Sequence, residues 1–128
     1  MSAVCPSARF PFKRSVAAKT RAWTTVATAF ESANYFAGVF RVPRRATPTG
    51  KARTRIRAAL VRAKPRSAAL AKAGKVQAYR ESVIRFPART LKPGYYVYAV
   101  QLFAEMNPTR KSFFVSKPFA VLPPKHKR

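Results

Sequence analysis

Leu91-Lys92-Pro93-Gly94-Tyr95-Tyr96-Val97-Tyr98-Ala99-Val100-Gln101-Leu102-Phe103 is the stretch on which the fold is decided. Lys92-Pro93-Gly94 is a turn signal, because proline presets its own φ and glycine accepts conformations closed to other residues. The run that follows is rich in aromatic and β-branched residues and carries no charge from Gly94 to Ala104. Side chains of a strand alternate faces, so Tyr96, Tyr98, Val100 and Leu102 share one side. Met106-Asn107-Pro108-Thr109 breaks the run. Phe113, Val115, Phe119 and Val121 then return as the partner strand, with Pro118 marking an edge or a bulge. The C-terminal third thus predicts a hairpin, preceded by a short strand through Val83, Ile84 and Phe86 that ends at Pro87.

Working toward the N-terminus, Tyr35, Ala37 and Val39 alternate with Phe36, Gly38 and Phe40, and both parities are apolar. Such a pattern suits one strand covered on both faces, or a short strand pair. Thr47-Pro48-Thr49-Gly50 is a second turn signal. Residues 52–74 admit two readings. Ile56, Ala59, Leu60 and Ala63 stand at helical spacing, and alanine and arginine favour helix up to Pro65. Ser67 then caps a second short helix from Ala68 to Ala73, ended by Gly74. Read instead as a strand, Arg55 to Ala63 points Ile56, Ala58 and Leu60 inward. Residues 1–22 read as a basic arm or edge strand, 23–122 as a single domain and 123–128 as a basic tail. Trp23 reads as an anchor for the first strand.

Composition sets the class of function. The 128 residues hold 27 Lys and Arg against Glu31, Glu81 and Glu105, a formal charge of +24. Most cations therefore lack an acidic partner in the chain, and their repulsion is relieved by salt or by a polyanion. Hydrophobic residues make up 48%, an ordinary globular share with which the chain need not be disordered, although its charge alone does not rule disorder out. No apolar run approaches the roughly 20 residues that span a bilayer. Val16-Ala17-Ala18 is cut by Lys19, so no export signal is expected in the chain as it stands.

Catalytic parts are scarce. There is no aspartate, the only histidine is His126 in the tail, and the glutamates stand 50 and 24 residues apart in sequence. General acid–base work needs a group titrating near neutrality or a carboxylate pair, so an enzyme is not expected. Cys5 stands alone, which removes an internal disulfide and a cysteine-ligated metal site. Gly38, Gly50, Gly74 and Gly94 are isolated and form no phosphate-cradling loop. Neither a cofactor, a metal nor a small-molecule substrate is expected.

What chemistry there is concentrates in one segment. Ten cations, Arg41, Arg44, Arg45, Lys51, Arg53, Arg55, Arg57, Arg62, Lys64 and Arg66, follow one another without an acidic residue between them. A helix here would turn arginines to solvent and a narrow apolar stripe inward, a face able to track a line of phosphates. The blander reading is a solvated surface with no dedicated partner. Rings interleave with cations at Arg9-Phe10-Pro11-Phe12-Lys13-Arg14 and at Lys111-Ser112-Phe113-Phe114, and serve either as core or as platforms for bases.

The Leu91–Val100 stretch resembles the penultimate strand of immunoglobulin-like and fibronectin type III-like β-sandwich domains, and Ser116-Lys117-Pro118-Phe119-Ala120-Val121 is similar to their last strand. The resemblance covers about residues 80–122 and implies a mainly β, antiparallel sandwich, with 52–74 as a short helical insertion. It assigns Leu91, Pro93, Gly94 and Tyr96 to the structural corner, where a tyrosine hydroxyl bonds backbone. It implies a passive interaction or spacer module of a secreted or cell-surface protein, touching anionic polymers. The chain departs from the family in lacking a disulfide pair and in the place of its tryptophan. The alternative expectation is an intracellular nucleic-acid-binding protein, ribosome-associated or virion-borne.

Overall fold

A computed structural model describes residues 7–10, 15–17, 23–29, 32–62, 65–86, 91–107, 109 and 111–122. The basic tail at 123–128, His126, Pro87 and most of the Arg9–Arg14 segment lie outside them. The strands are β1 (Ser7–Arg9), β2 (Ser15–Ala17), β3 (Trp23–Ala29), β4 (Ala33–Val42), β5 (Leu70–Val76), β6 (Arg80–Phe86), β7 (Gly94–Ala104), β8 (Lys111–Val115) and β9 (Phe119–Leu122), with one helix, α1 (Gly50–Ala59), between β4 and β5. The protein is mainly β. One sheet has the order β1-β3-β6, and the larger has β2-β9-β7-β4-β5 with β8 also on β7. Among the described residues every pairing is antiparallel except β2 with β9.

The two sheets close on a shared core. Ala27, Ile84 and Phe86 from the smaller sheet meet Tyr35, Ala37, Val39, Tyr96, Tyr98, Val100 and Leu102 from the larger. Tyr98 stacks on Phe119 with ring centroids 4.9 Å apart. The aromatic row anticipated on β7 is therefore the inner face of the larger sheet. Burial pushes the Tyr98 phenol up to about 12, and burial also raises that of Tyr35.

On the outer face of the same sheet lies a second apolar layer. Phe40, Val42, Val97 and Ala99 pack against Ile56 and Leu60 of the helical segment. Burying Ile56 and Leu60 contributes roughly 1.5–3 kcal/mol each. The two apolar parities of β4 are thus explained by one strand roofed on both sides, by the smaller sheet and by α1.

Residues 52–74 divide differently from either reading. The helix ends at Ala59, and Leu60 closes it, its N–H reaching the carbonyls of Ile56 and Arg57. Ile56 and Leu60 are buried, whereas Ala58 is exposed, so the strand reading of Arg55–Ala63 fails. The second helix, Ala68 to Ala73, is also corrected: Leu70–Val76 is the edge strand β5, in register with β4 from Val39↔Leu70 to Ala33↔Val76. A helix there would leave the β4 edge unpaired, and those ladder bonds outweigh the helix propensity of alanine and lysine. Gly74 decides the fit. A Cβ at this position would stand 2.8 Å from Cε2 and Oη of Tyr35, which lies across the bare glycine.

The returning strand carries the bulge that Pro118 marked, but the bulge corrects the single strand: it breaks it in two, because Val97 and Tyr98 of β7 face three residues, Ser116, Lys117 and Pro118, between the pairs Ala99↔Val115 and Tyr96↔Phe119. Such a bulge shifts the chain by one residue and exchanges its faces. Phe113 and Val115 consequently pack on the helix side, while Phe119 and Val121 enter the inner core. Ser116 closes the gap: its N–H donates to the Tyr98 carbonyl and its Oγ accepts from the Tyr98 N–H, both at 2.8 Å.

The turn before β7 is held by side chains. Tyr96 Oη donates to the Lys92 carbonyl at 2.7 Å, and Arg41 Nη2 donates to the Pro93 carbonyl at 3.1 Å. Leu91 is buried in the inner core. Gly94 has φ 155, and a Cβ there would come within 3.0 Å of the Arg41 guanidinium.

Candidate polyanion-binding face

The segment between β4 and β5 carries nine of the cations singled out by sequence, since only Arg41 lies within a strand. Arg44 and Arg45 follow β4, Lys51, Arg53, Arg55 and Arg57 stand on α1, and Arg62 and Arg66 fall in the connection to β5. Lys64 lies outside the described residues. All the described members are exposed except Arg53, which is half-buried. Arg41 separates from the rest. It shares the parity of Tyr35, Ala37 and Val39, whose side chains enter the inner core, and its guanidinium binds the β7 turn. Its work is structural.

The helix is not built for its own stability. Thr49 is extended at the N-cap and makes no side-chain cap bond, and no acidic residue stands in the first turn. Lys51 instead places a cation at the positive end of the helix dipole. Lys51 with Arg55, and Arg53 with Arg57, are like-charge pairs four residues apart, each costing a few tenths of a kcal/mol. Packing of Ile56 and Leu60 on the sheet holds the helix in place despite its charge. The cations that resist the helix are the ones it displays.

Rings of the sheet lie beneath several cations. The Arg45 guanidinium is 5.2 Å from the Tyr95 ring centroid, that of Arg53 is 4.8 Å from Phe113, and Lys111 Nζ is 5.7 Å from Phe103. Phe103 itself meets Phe36 edge-on at 5.5 Å. Each ring attracts a cation through its negative π-face. A guanidinium stacked on a ring still offers its outer plane and its in-plane N–H groups.

Between α1 and the β7–β8 hairpin lies an open cleft of about 330 Å³, with Arg57 and Lys111 contributing charge, Ala58, Val61 and Phe113 apolar surface, and Thr54 and Gln101 a hydroxyl and an amide. Gln101 is 1% exposed. Its Nε2 donates to the carbonyls of Arg57 at 3.1 Å and Leu60 at 3.0 Å, satisfying two orphan groups at the helix end. Its Oε1 has no hydrogen-bond partner among the described residues. Sequence reading did not count Gln101 and Lys111 as site residues. An uncharged amide inside a strand of alternating apolar residues was the available signal for Gln101. Only the register Gln101↔Phe113 and Phe103↔Lys111 brings the β8 residues to the helix end.

Among the described residues no group of three or more His, Cys, Asp or Glu is placed to hold a metal ion, and no helix is long and apolar enough to cross a membrane. Lys75 and Glu105 approach to 3.7 Å at the surface. An exposed pair of this kind is worth at most about 1 kcal/mol and leaves the cationic excess intact.

Fold and site together define a two-sheet β protein with a cationic helical cover on one face. Comparison with family models, with curated proteins and with solved structures returns no match for this chain.

Proposed function

We propose that this chain is a non-catalytic interaction module of the immunoglobulin-like class that holds an anionic polymer against its helix-bearing face. Three features support the class. The strand orders β1-β3-β6 and β2-β9-β7-β4-β5 parallel an A-B-E sheet facing an A′-G-F-C-C′ sheet, with β8 and β9 together as G. The β2–β9 pair is parallel, as an A′–G pair is. Tyr96 bonds the backbone four residues upstream, as a corner tyrosine does. In this reading α1 is a C–C′ insertion that carries the binding face, and the polymer is recognised by its anionic groups.

One observation carries the binding function: the solvent-facing side of α1 and its flanking loops presents arginine and lysine uninterrupted by acid, on a helix whose stability those cations oppose. Contacts of this type release counterions, so affinity falls steeply with salt, with a slope of about 0.7 per phosphate neutralised on a single strand. Titrating fluorescent polyphosphate between about 50 and 200 mM salt measures that slope and is expected to show a loss of orders of magnitude. The variant Arg55→Gln/Arg57→Gln lowers the slope by about 1.4 if both contact the polymer. A pair of glutamines at Lys72 and Lys75, on the far edge strand, leaves it unchanged. Equal effects of the two pairs defeat the proposal, because they mean a diffuse charge rather than a face.

A further inference from the structure

Resting on the polyanion reading, we infer that the cleft beside the end of α1 is a nucleobase site and that the polymer on the helix is a single-stranded nucleic acid. The cleft combines what a nucleotide requires and a bare polyphosphate does not. Phe113 supplies a ring wall, with the Arg53 guanidinium 4.8 Å from its centroid. Bases stack on aromatic faces and on guanidinium planes alike. Arg57 from α1 and Lys111 from β8 suit the phosphates on either side of an inserted base. The volume of about 330 Å³ admits a base and excludes a duplex.

The test compares fluorescent single-stranded oligonucleotides with abasic sugar–phosphate strands of equal length and charge, and with inorganic polyphosphate and poly(glycerol phosphate). The full chain is used. The wild type is expected to bind the base-bearing strand about 5- to 100-fold tighter than the abasic one, the increment of one or two stacked bases. Phe113→Leu removes the ring, and Ala58→Leu narrows the cleft from an exposed helix position. Both are expected to bring the two strands to equal affinity, and Ala58→Leu leaves polyphosphate binding as in the wild type. Far-ultraviolet circular dichroism and thermal midpoints confirm that both variants are folded. Base-bearing and abasic strands bound equally by the wild type overturn the inference, as does a preference that survives both substitutions. Tighter binding of poly(glycerol phosphate) than of any oligonucleotide also overturns it, in favour of a surface polymer. Absence of polyphosphate binding altogether instead defeats the broader polyanion reading.

Discussion

Ser116→Ala removes the two hydrogen bonds of one hydroxyl at the place where the last strand changes faces, and the buried one, from the Tyr98 N–H, dominates the cost. Ser116 is buried, and its Oγ both accepts from the Tyr98 N–H and donates to the Lys117 carbonyl. Tyr98 is itself buried, so water does not replace the lost acceptor easily. Alanine fits the same space and leaves the Ser116 N–H bond to the Tyr98 carbonyl in place. The loss is then a buried donor left unsatisfied, about 1–3 kcal/mol, with little contribution from packing. Taking about 2 kcal/mol and a urea dependence of about 2 kcal/mol per M, the unfolding midpoint falls by about 1 M with the slope unchanged. Ser112→Ala, on β8 away from the bulge, is the control and changes stability by no more than about 0.5 kcal/mol. Hydrogen exchange supplies the local readout, since the Tyr98 amide alone among its β7 neighbours loses its acceptor. An alanine variant with an unshifted midpoint and a Tyr98 amide as protected as before would refute the role given to the hydroxyl.

Other perturbations report on separate parts of the molecule. Gly74→Ala forces a Cβ to within 2.8 Å of the buried Tyr35 ring and is expected to cost about 1–3 kcal/mol by thermal denaturation; Ala73→Gly, one residue away, lacks that clash. Tyr96→Phe removes the hydroxyl bond to Lys92 and lowers stability by about 0.5–1.5 kcal/mol in urea, while a loss of several kcal/mol would mean that the ring is misplaced. The raised phenol of Tyr98 makes stability depend on alkaline pH. Its favourable contribution is fully present below about pH 10, the ordinary phenol value, and is lost as pH rises through about 12, because only the unfolded chain ionises readily in that window. Ultraviolet phenolate absorbance should show Tyr98→Phe removing a late-titrating group, and an unaltered titration curve contradicts the burial.

How far the sequence reveals this arrangement depends on where the deciding contacts lie. β7 was legible because an uncharged run of aromatic and β-branched residues lies between Pro93-Gly94 and Asn107. β4 was legible in the same way, being apolar on both parities, although which layer covered which face was not. β5 was misread as helix because Leu70-Ala71-Lys72-Ala73 has helical propensity, and what overrides it is the vacant edge of β4, some thirty residues earlier in the register. The exchange of faces at Ser116 escaped notice because Phe113, Val115, Phe119 and Val121 keep one parity through it, and only an extra residue against β7 reveals the shift. Among the cations, ten consecutive positive charges gave no hint that Arg41 turns to the β7 corner. That followed from its strand parity alone, which was available once β4 was fixed. Gln101 needed the third dimension, since its partners at Arg57 and Leu60 lie more than forty residues away.

The placement of α1 bears on how such a protein can change over generations. β4 and β5 are adjacent and antiparallel, with Val39 opposite Leu70, and β4 runs on to Val42 in pairing with β7, so residues 43–69 are an excursion from a hairpin. Among the described residues no strand pairing uses a residue of that excursion. Replacing the excursion by a short polar turn, with Phe40, Val97 and Ala99 recoloured to suit water, would keep the architecture and discard nearly all of the binding charge. The scaffold and its affinity for polymer are thus heritable as separate traits, and a lineage can retune what it holds without renegotiating how it folds.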